Sequence, residues 1–293
     1  MAAAEVKTLT AFYDLEHGPV SYDFVTWLVQ ARLRANRAQC ERLHVVIVPH
    51  EGGLGGFARN WGEHDEHATY WRLWHIVVAS CPLARASVTV ADSRMQAERL
   101  NRDDYDVTWW ADGKAHFMGP LVDDARQGEA IPKLCATEQA KRYMQESLRG
   151  FERPIATLTV RNQTTDTARN SKRAEWDRLS DWLTGRGYDV IRIDDTNRAL
   201  SQGRGFAELD PDLRLALYER AEVNVIGNNG PQELLKFSNA PYTIFGLALT
   251  DGWRQHWRKY FHMEPGEQVP WARENQRMVY LPDTFENMRA CFT

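Results

Sequence analysis

Two α/β domains, each built on a parallel sheet, are what this sequence predicts. Apolar runs of strand length alternate with runs of helical period through both halves, the pattern of sheets covered on two faces. Between the halves, residues 119–135 (GPLVDDARQGEAIPKLC) lose periodicity and collect Gly, Pro and charge, as a linker does. The chain has 293 residues and is 43% hydrophobic, enough for two domains with real cores. The expected division is 1–125 and 126–293.

The elements follow in order. Residues 8–13, TLTAFY, read as a strand, and 14–22 as a polar loop. Phe24, Val25, Leu28, Val29 and Leu33 have helical spacing over 22–37. HVVIVP (44–49) is a buried strand, followed by a loop with Gly52, Gly53, Gly55 and Gly56. A helix is expected over 66–80, a strand over 87–91 and a short helix over 93–100. The second half repeats the logic. A helix is expected over 136–149, a strand over 155–160 and a polar loop over 161–171. A helix over 172–184 carries Trp176, Leu179, Trp182 and Leu183 on one side and ends at Gly185 and Gly187. Strand 188–193 and helix 211–220 come next. Val223–Ile226 then runs into the turn Gly227-Asn228-Asn229-Gly230-Pro231, with a helix from Pro231 and a strand over 242–245. Residues 253–262 read as an amphipathic aromatic helix.

Bulk properties exclude several classes. A net charge of −4 implies no broad basic surface, which argues against nucleic acid as a partner. Cys40, Cys81, Cys135 and Cys291 are far apart and form neither a disulfide framework nor a zinc motif. A reducing, cytoplasmic location is the simplest reading, because no signal-peptide pattern or membrane-span length is seen. GxGxxG, P-loop, GxSxG and HExxH motifs are missing. His64-Asp65-Glu66-His67 with His75 lacks a third metal ligand at a familiar spacing, and a lid beside the glycine loop suits it better. The eleven Trp residues read mainly as packing, with some as a stacking platform for a sugar or base.

Three polar segments fall after strands, where open α/β sheets bind ligands. In 227–231, Asn and Gly tolerate unusual backbone angles and Pro suits a helix start, so Asn228, Asn229 and Gly230 present backbone N–H groups to a phosphate. An ordinary βα turn has the same composition. In 161–173, Arg161, Arg169, Asn170, Lys172 and Arg173 gather near a helix amino terminus, where cations oppose the dipole unless an anion offsets them. A solvated basic helix start is the alternative. In 14–23, Asp14, His17 and Asp23 are candidates to take a proton from a hydroxyl; Ser21 or Asp23 also suits a helix cap.

The run TLTVRNQTTDTARNSKRAEWDRLSDWLTGRGYDVIRIDDT, with VNVIGNNGPQELLKFSNAPYTIFG, resembles the nucleotide-sugar-binding half of GT-B glycosyltransferases. The likeness covers roughly 136–293. It is nearest to bacterial enzymes of surface-polysaccharide synthesis, distantly akin to the fucosyltransferase and heptosyltransferase groups. It implies two Rossmann-like domains facing a cleft, and a nucleotide-sugar donor held by Arg161, Arg169, Asn228, Asn229 and Gly230. A glycan, lipid-linked or small-molecule acceptor is expected in the amino-terminal domain, with Asp14, His17 or Asp23 as base in an inverting transfer. No metal or organic cofactor is required in that fold, so Asp123-Asp124 and Asp194-Asp195 read as incidental. A lipid-linked acceptor would bring peripheral membrane contact near Trp253, Trp257 and Phe261, although core packing is the favoured reading of these aromatics. A nucleotide-sugar epimerase or hydrolase, or a non-catalytic sugar- or partner-binding protein, is the alternative.

Overall fold

A computed structural model describes residues 6–51, 66–103, 107–110, 114–164, 167–195 and 210–292. The chain divides into two compact units. The first comprises residues 1–118 with Ile131–Leu134, and the second Gly119–Ala130 with Cys135–Thr293. Each unit holds one all-parallel sheet.

In the first unit the strands are β1 (Thr8–Asp14), β2 (Arg42–Val48), β3 (Ala86–Val90) and β4 (Val107–Trp110), in spatial order β3-β2-β1-β4. Helix α1 (Asp23–Arg37) connects β1 to β2, and nine of its residues are buried, among them Phe24, Trp27 and Leu28. The helix expected over 66–80 is α2 (Glu66–Arg72), which runs on through a π-helical segment, Leu73–Val78. Helix α3 (Arg94–Asp103) follows β3. The four residues VTWW of β4 lie beyond the sequence reading. They are too short for a period, yet they pair with β1 from Leu9↔Val107 to Phe12↔Trp110.

In the second unit β5 (Ile155–Arg161), β6 (Asp189–Asp195), β7 (Val223–Ile226), β8 (Tyr242–Ile244) and β9 (Gln276–Met278) lie in the order β6-β5-β7-β8-β9. Helix α4 (Gly119–Arg126) forms within the stretch expected to be a linker, and it belongs to this unit. His262 Nδ1 meets Asp123 Oδ2 at 2.7 Å, and Arg126 donates to His262 O, which fastens α4 there. Thr137 caps α5 (Glu138–Ser147).

The two faces of β5 explain how this sheet is buried. Ala156, Leu158 and Val160 pack with Trp176, Leu179 and Leu183 of α6 (Arg173–Gly185). Full burial of each such leucine stabilises by roughly 2 kcal/mol. Trp176 is satisfied as well, donating from Nε1 to Asp283 at 2.7 Å. Gly187, at φ +88°, lets the chain turn from α6 into β6. The opposite face is polar but paired, as buried polar groups must be. Thr157 donates to Asn224 at 2.6 Å, Asn224 donates to the carbonyls of Tyr218 and Pro241, and Thr159 pairs with the Tyr218 hydroxyl at 2.8 Å. Tyr218 belongs to α7 (Pro211–Arg220), which Asp210 caps. These bonds tie α7, β5, β7 and the entry to β8 beneath the carboxyl ends of the strands.

Candidate functional site

Strand order locates a candidate site in each unit. In β3-β2-β1-β4 the winding reverses between β1 and β4; in β6-β5-β7-β8-β9 it reverses between β5 and β7. Loops diverge at such a switch point, leaving a crevice beyond the strands' carboxyl ends. The loops after β1, β5 and β7 are the three polar segments singled out from the sequence.

After β1, the N–H groups of His17 and Gly18 both bond the Asp14 carbonyl, a tight turn. Gly18 lies on the Tyr13 ring, where a Cβ would come within 2.4 Å, so only glycine fits. Tyr13 donates to Pro19 O at 2.7 Å; burial, then the Asp23 charge, push its phenol well up, so it stays a donor. Asp14 is buried and receives Arg94 through both carboxylate oxygens, at 2.8 and 2.6 Å. Burial pushes its carboxyl up, but the Arg94 hydrogen bond and charge and the Glu16 amide outweigh it and hold the group below its ordinary value. Asp23 stands in the first turn of α1, exchanging hydrogen bonds with Ser21. His17 is exposed at the tip of the turn.

After β5, Arg161 is 7% exposed and donates to Asn170 Oδ1 at 2.5 Å. Asn170 also accepts from the Gln163 amide and donates to the Gln163 carbonyl, so it staples its own loop. Arg169 ends a short 3-10 turn, Thr167–Arg169, and donates to Asn228 O at 2.8 Å. This bond joins the loop after β5 to the turn after β7. Arg173 is 79% exposed and lies 4.0 Å from Asp177 on its own helix.

The turn after β7 is fastened on several sides. Asn228 donates to Gly246 O and accepts from Gln232. The amides of Asn228 and Gly230 have no acceptor among the described residues. Asn229 is 1% exposed, and among the described residues neither end of its carboxamide has a hydrogen-bond partner. An unsatisfied buried polar group costs about 1–3 kcal/mol, so such an amide requires an explanation. The helix expected from Pro231 is one turn, α8 (Gln232–Lys236), with Pro231 at its cap. A single turn sums few peptide dipoles, so anion binding here depends on individual N–H groups more than on a macrodipole.

The remaining sequence candidates fall elsewhere. Asp123 pairs with His262; Asp194 lies 3.7 Å from Arg192 and Asp195 3.7 Å from Arg214. All four cysteines are free. Gly52, Gly53, Gly55, Gly56, His64 and Asp65 and the side chains of Glu66 and His67 lie outside the described residues. His75 stacks on Trp71. Among the described residues no group of three or more His, Cys, Asp or Glu gathers to hold a metal, and no helix is long and apolar enough to cross a membrane.

Trp253 escaped the sequence list of site residues. It lies in α9 (Asp251–His256), beyond the carboxyl end of β8, with its indole 37% exposed and Arg169 over the ring at 5.4 Å. Sequence offers only its residue type, since the approach of Arg169 depends on the fold.

The described residues thus form an α/β protein with two parallel sheets, each with a switch point in its strand order. Its fold is similar to that of E. coli ADP-heptose lipopolysaccharide heptosyltransferase II, at a TM-score of 0.50 and 13% identity, over 93% of this chain and 90% of that one. A glycosyl transferase family 9 structure from Veillonella parvula gives 0.44 at 10% identity, over 82% and 80% of the two chains. The E. coli heptosyltransferase WaaC gives 0.44 at 12%, over 97% and 98%. No protein-family model and no curated protein matches the chain.

Proposed function

We propose that this protein is a GT-B-type glycosyltransferase that moves a sugar from a nucleotide-sugar to a hydroxyl acceptor, in glycan or glycoconjugate synthesis. One observation carries the reading. At the switch point of the second sheet, Arg169 bonds the loop after β5 to the turn after β7, where Asn228 and Gly230 keep amides without acceptors among the described residues. That combination suits a diphosphate, whose oxygens accept from backbone amides and guanidinium groups alike. The likeness of fold to an ADP-heptose-dependent transferase supports the same donor class.

In this reading the two units are Rossmann-like domains, with the acceptor bound by the first. Arg161, Arg169 and the amides of Asn228 and Gly230, with Asn170 holding the loop's shape, stabilise charge on the departing diphosphate, and no metal is required; the Asn229 amide, also expected there, is taken by Gly227 O at 2.9 Å. Arg173 contributes only to the surrounding field. His17 is the preferred base, since Arg94 makes Asp14 a weak one and Ser21 engages Asp23. Direct attack by the acceptor oxygen inverts the anomeric centre. We place the protein in the cytoplasm, with peripheral membrane contact when the acceptor is lipid-linked; Trp257, expected at such a contact, is 2% exposed and packs in the core instead.

Calorimetry with UDP-, GDP-, ADP- and CMP-sugars tests the donor. One of the panel binds; binding of none sinks the transferase. Turnover only with an acceptor present separates a transferase from an epimerase or hydrolase. His17→Ala abolishes most turnover at unchanged donor affinity, and full activity in that variant would remove His17 as the base.

A further inference from the structure

The donor reading accounts for the phosphate end of a nucleotide but leaves its base without a seat. Exposed aromatic surface beside a phosphate turn is where such a seat is expected, because every nucleobase has a π face. In the second unit the carboxyl end of the sheet carries one such surface. Trp253 is 37% exposed and Leu249, on the same connection after β8, is 41% exposed.

The indole is held in place. Arg169 lies over it at 5.4 Å from the ring centroid, and His256 meets it edge-on at 5.2 Å. Thr250 caps the turn from which it projects, accepting from the Trp253 amide at 3.3 Å. The same guanidinium that covers the ring donates to Asn228 O at 2.8 Å. One guanidinium therefore touches both the ring and the phosphate turn. The arrangement differs from that of Trp257, the next aromatic of this segment, which is 2% exposed and packs against Phe261 and Tyr280.

We infer that Trp253 is the nucleobase platform of this site: the base of a nucleoside diphosphate stacks on the exposed indole surface, with Arg169 fixing the ring relative to the diphosphate turn. The inference rests on the donor reading above and adds to it the residue that recognises the nucleoside. Arg169 then has a positioning role, linking the two parts of the ligand through contacts it makes before any ligand binds.

The test titrates the full-length protein with ADP, GDP and UDP, reading affinity by calorimetry and tryptophan emission by fluorescence, in wild type, Trp253→Phe and Trp253→Ala. Thermal melts of all three check folding. Wild type binds at least one of the three with quenching of emission. Trp253→Ala loses roughly tenfold or more in affinity for it. Trp253→Phe keeps most of the affinity but loses most of the quenching. If wild type binds a nucleoside diphosphate and the alanine variant, folded, binds it equally well, the platform is overturned while the donor reading stands. Quenching that persists in Trp253→Phe also overturns it, by locating the base at another tryptophan. If wild type binds none of the three, the donor reading itself falls, and the platform with it.

Discussion

The loops at the two switch points are both polar, yet they resolve their charges in opposite ways. After β1, Asp14 and Arg94 close on each other and Glu16 joins at 3.2 Å, so charge is compensated inside the unit. The turn after β7 carries Asn228, Asn229 and Gln232, and Arg169 donates to the Asn228 carbonyl. Among the described residues both carboxamide ends of Asn229 and the side-chain oxygen of Gln232 have no partner. Self-neutralised charge builds a rigid frame, whereas backbone amides without acceptors suit an incoming anion. The first region thus holds a turn that leaves His17 exposed, and the second is where the donor is proposed to bind.

Four outcomes would sharpen or break that contrast. Arg161→Ala has the largest effect, lowering donor affinity about 100-fold by removing a charge-assisted contact and loosening the Asn170 staple. Unchanged affinity in calorimetry would remove the phosphate assignment. Arg94→Ala destabilises by about 2 kcal/mol, because it leaves the buried Asp14 carboxylate without its partner, and donor affinity stays at the wild-type value. Its pH dependence has a fixed sign. Asp14 is held below its ordinary value in the fold, so its pairing stabilises fully above about pH 4 and the contribution is lost as pH falls further. Acid melts of wild type and Arg94→Ala should therefore converge below pH 4; a constant gap would exclude Asp14 as the source.

Asn229→Ala gives a smaller and divided response. It removes two buried polar atoms that have no partners, so the free protein melts no lower than wild type, while donor affinity falls about tenfold. A lower melting temperature with unaltered affinity would make that amide structural. Arg173→Ala is smallest. Its 79% exposure and its i,i+4 partner Asp177 imply less than about 0.5 kcal/mol in stability and donor affinity within about twofold of wild type.

Much of the frame was legible before any coordinates. β-branched and apolar runs marked β1, β2, β5, β6 and β7, and helical spacing marked α1 and α6, because burying one face imposes a period on local sequence. VTWW and QRM were missed as strands: three or four residues carry no period, and only neighbouring strands give them structure. The linker stretch hid α4, whose apolar residues Leu121 and Val122 become buried through its place in the second unit.

For the site, sequence by itself determined the chemistry available: an Arg- and Asn-rich loop after one strand, an Asn-Gly turn after another, and a His- and Asp-bearing loop after the first. Residue types and strand ends are local properties, and local sequence encodes them. Strand order, which sets β5 beside β7 and β1 beside β4, was decided only in the tertiary structure. So were the contact between Arg169 and Asn228, the turning of Arg173 toward Asp177 and the loss of Asp14's basicity to Arg94. Each of these depends on residues distant in the chain or on side-chain direction, which composition and spacing do not specify.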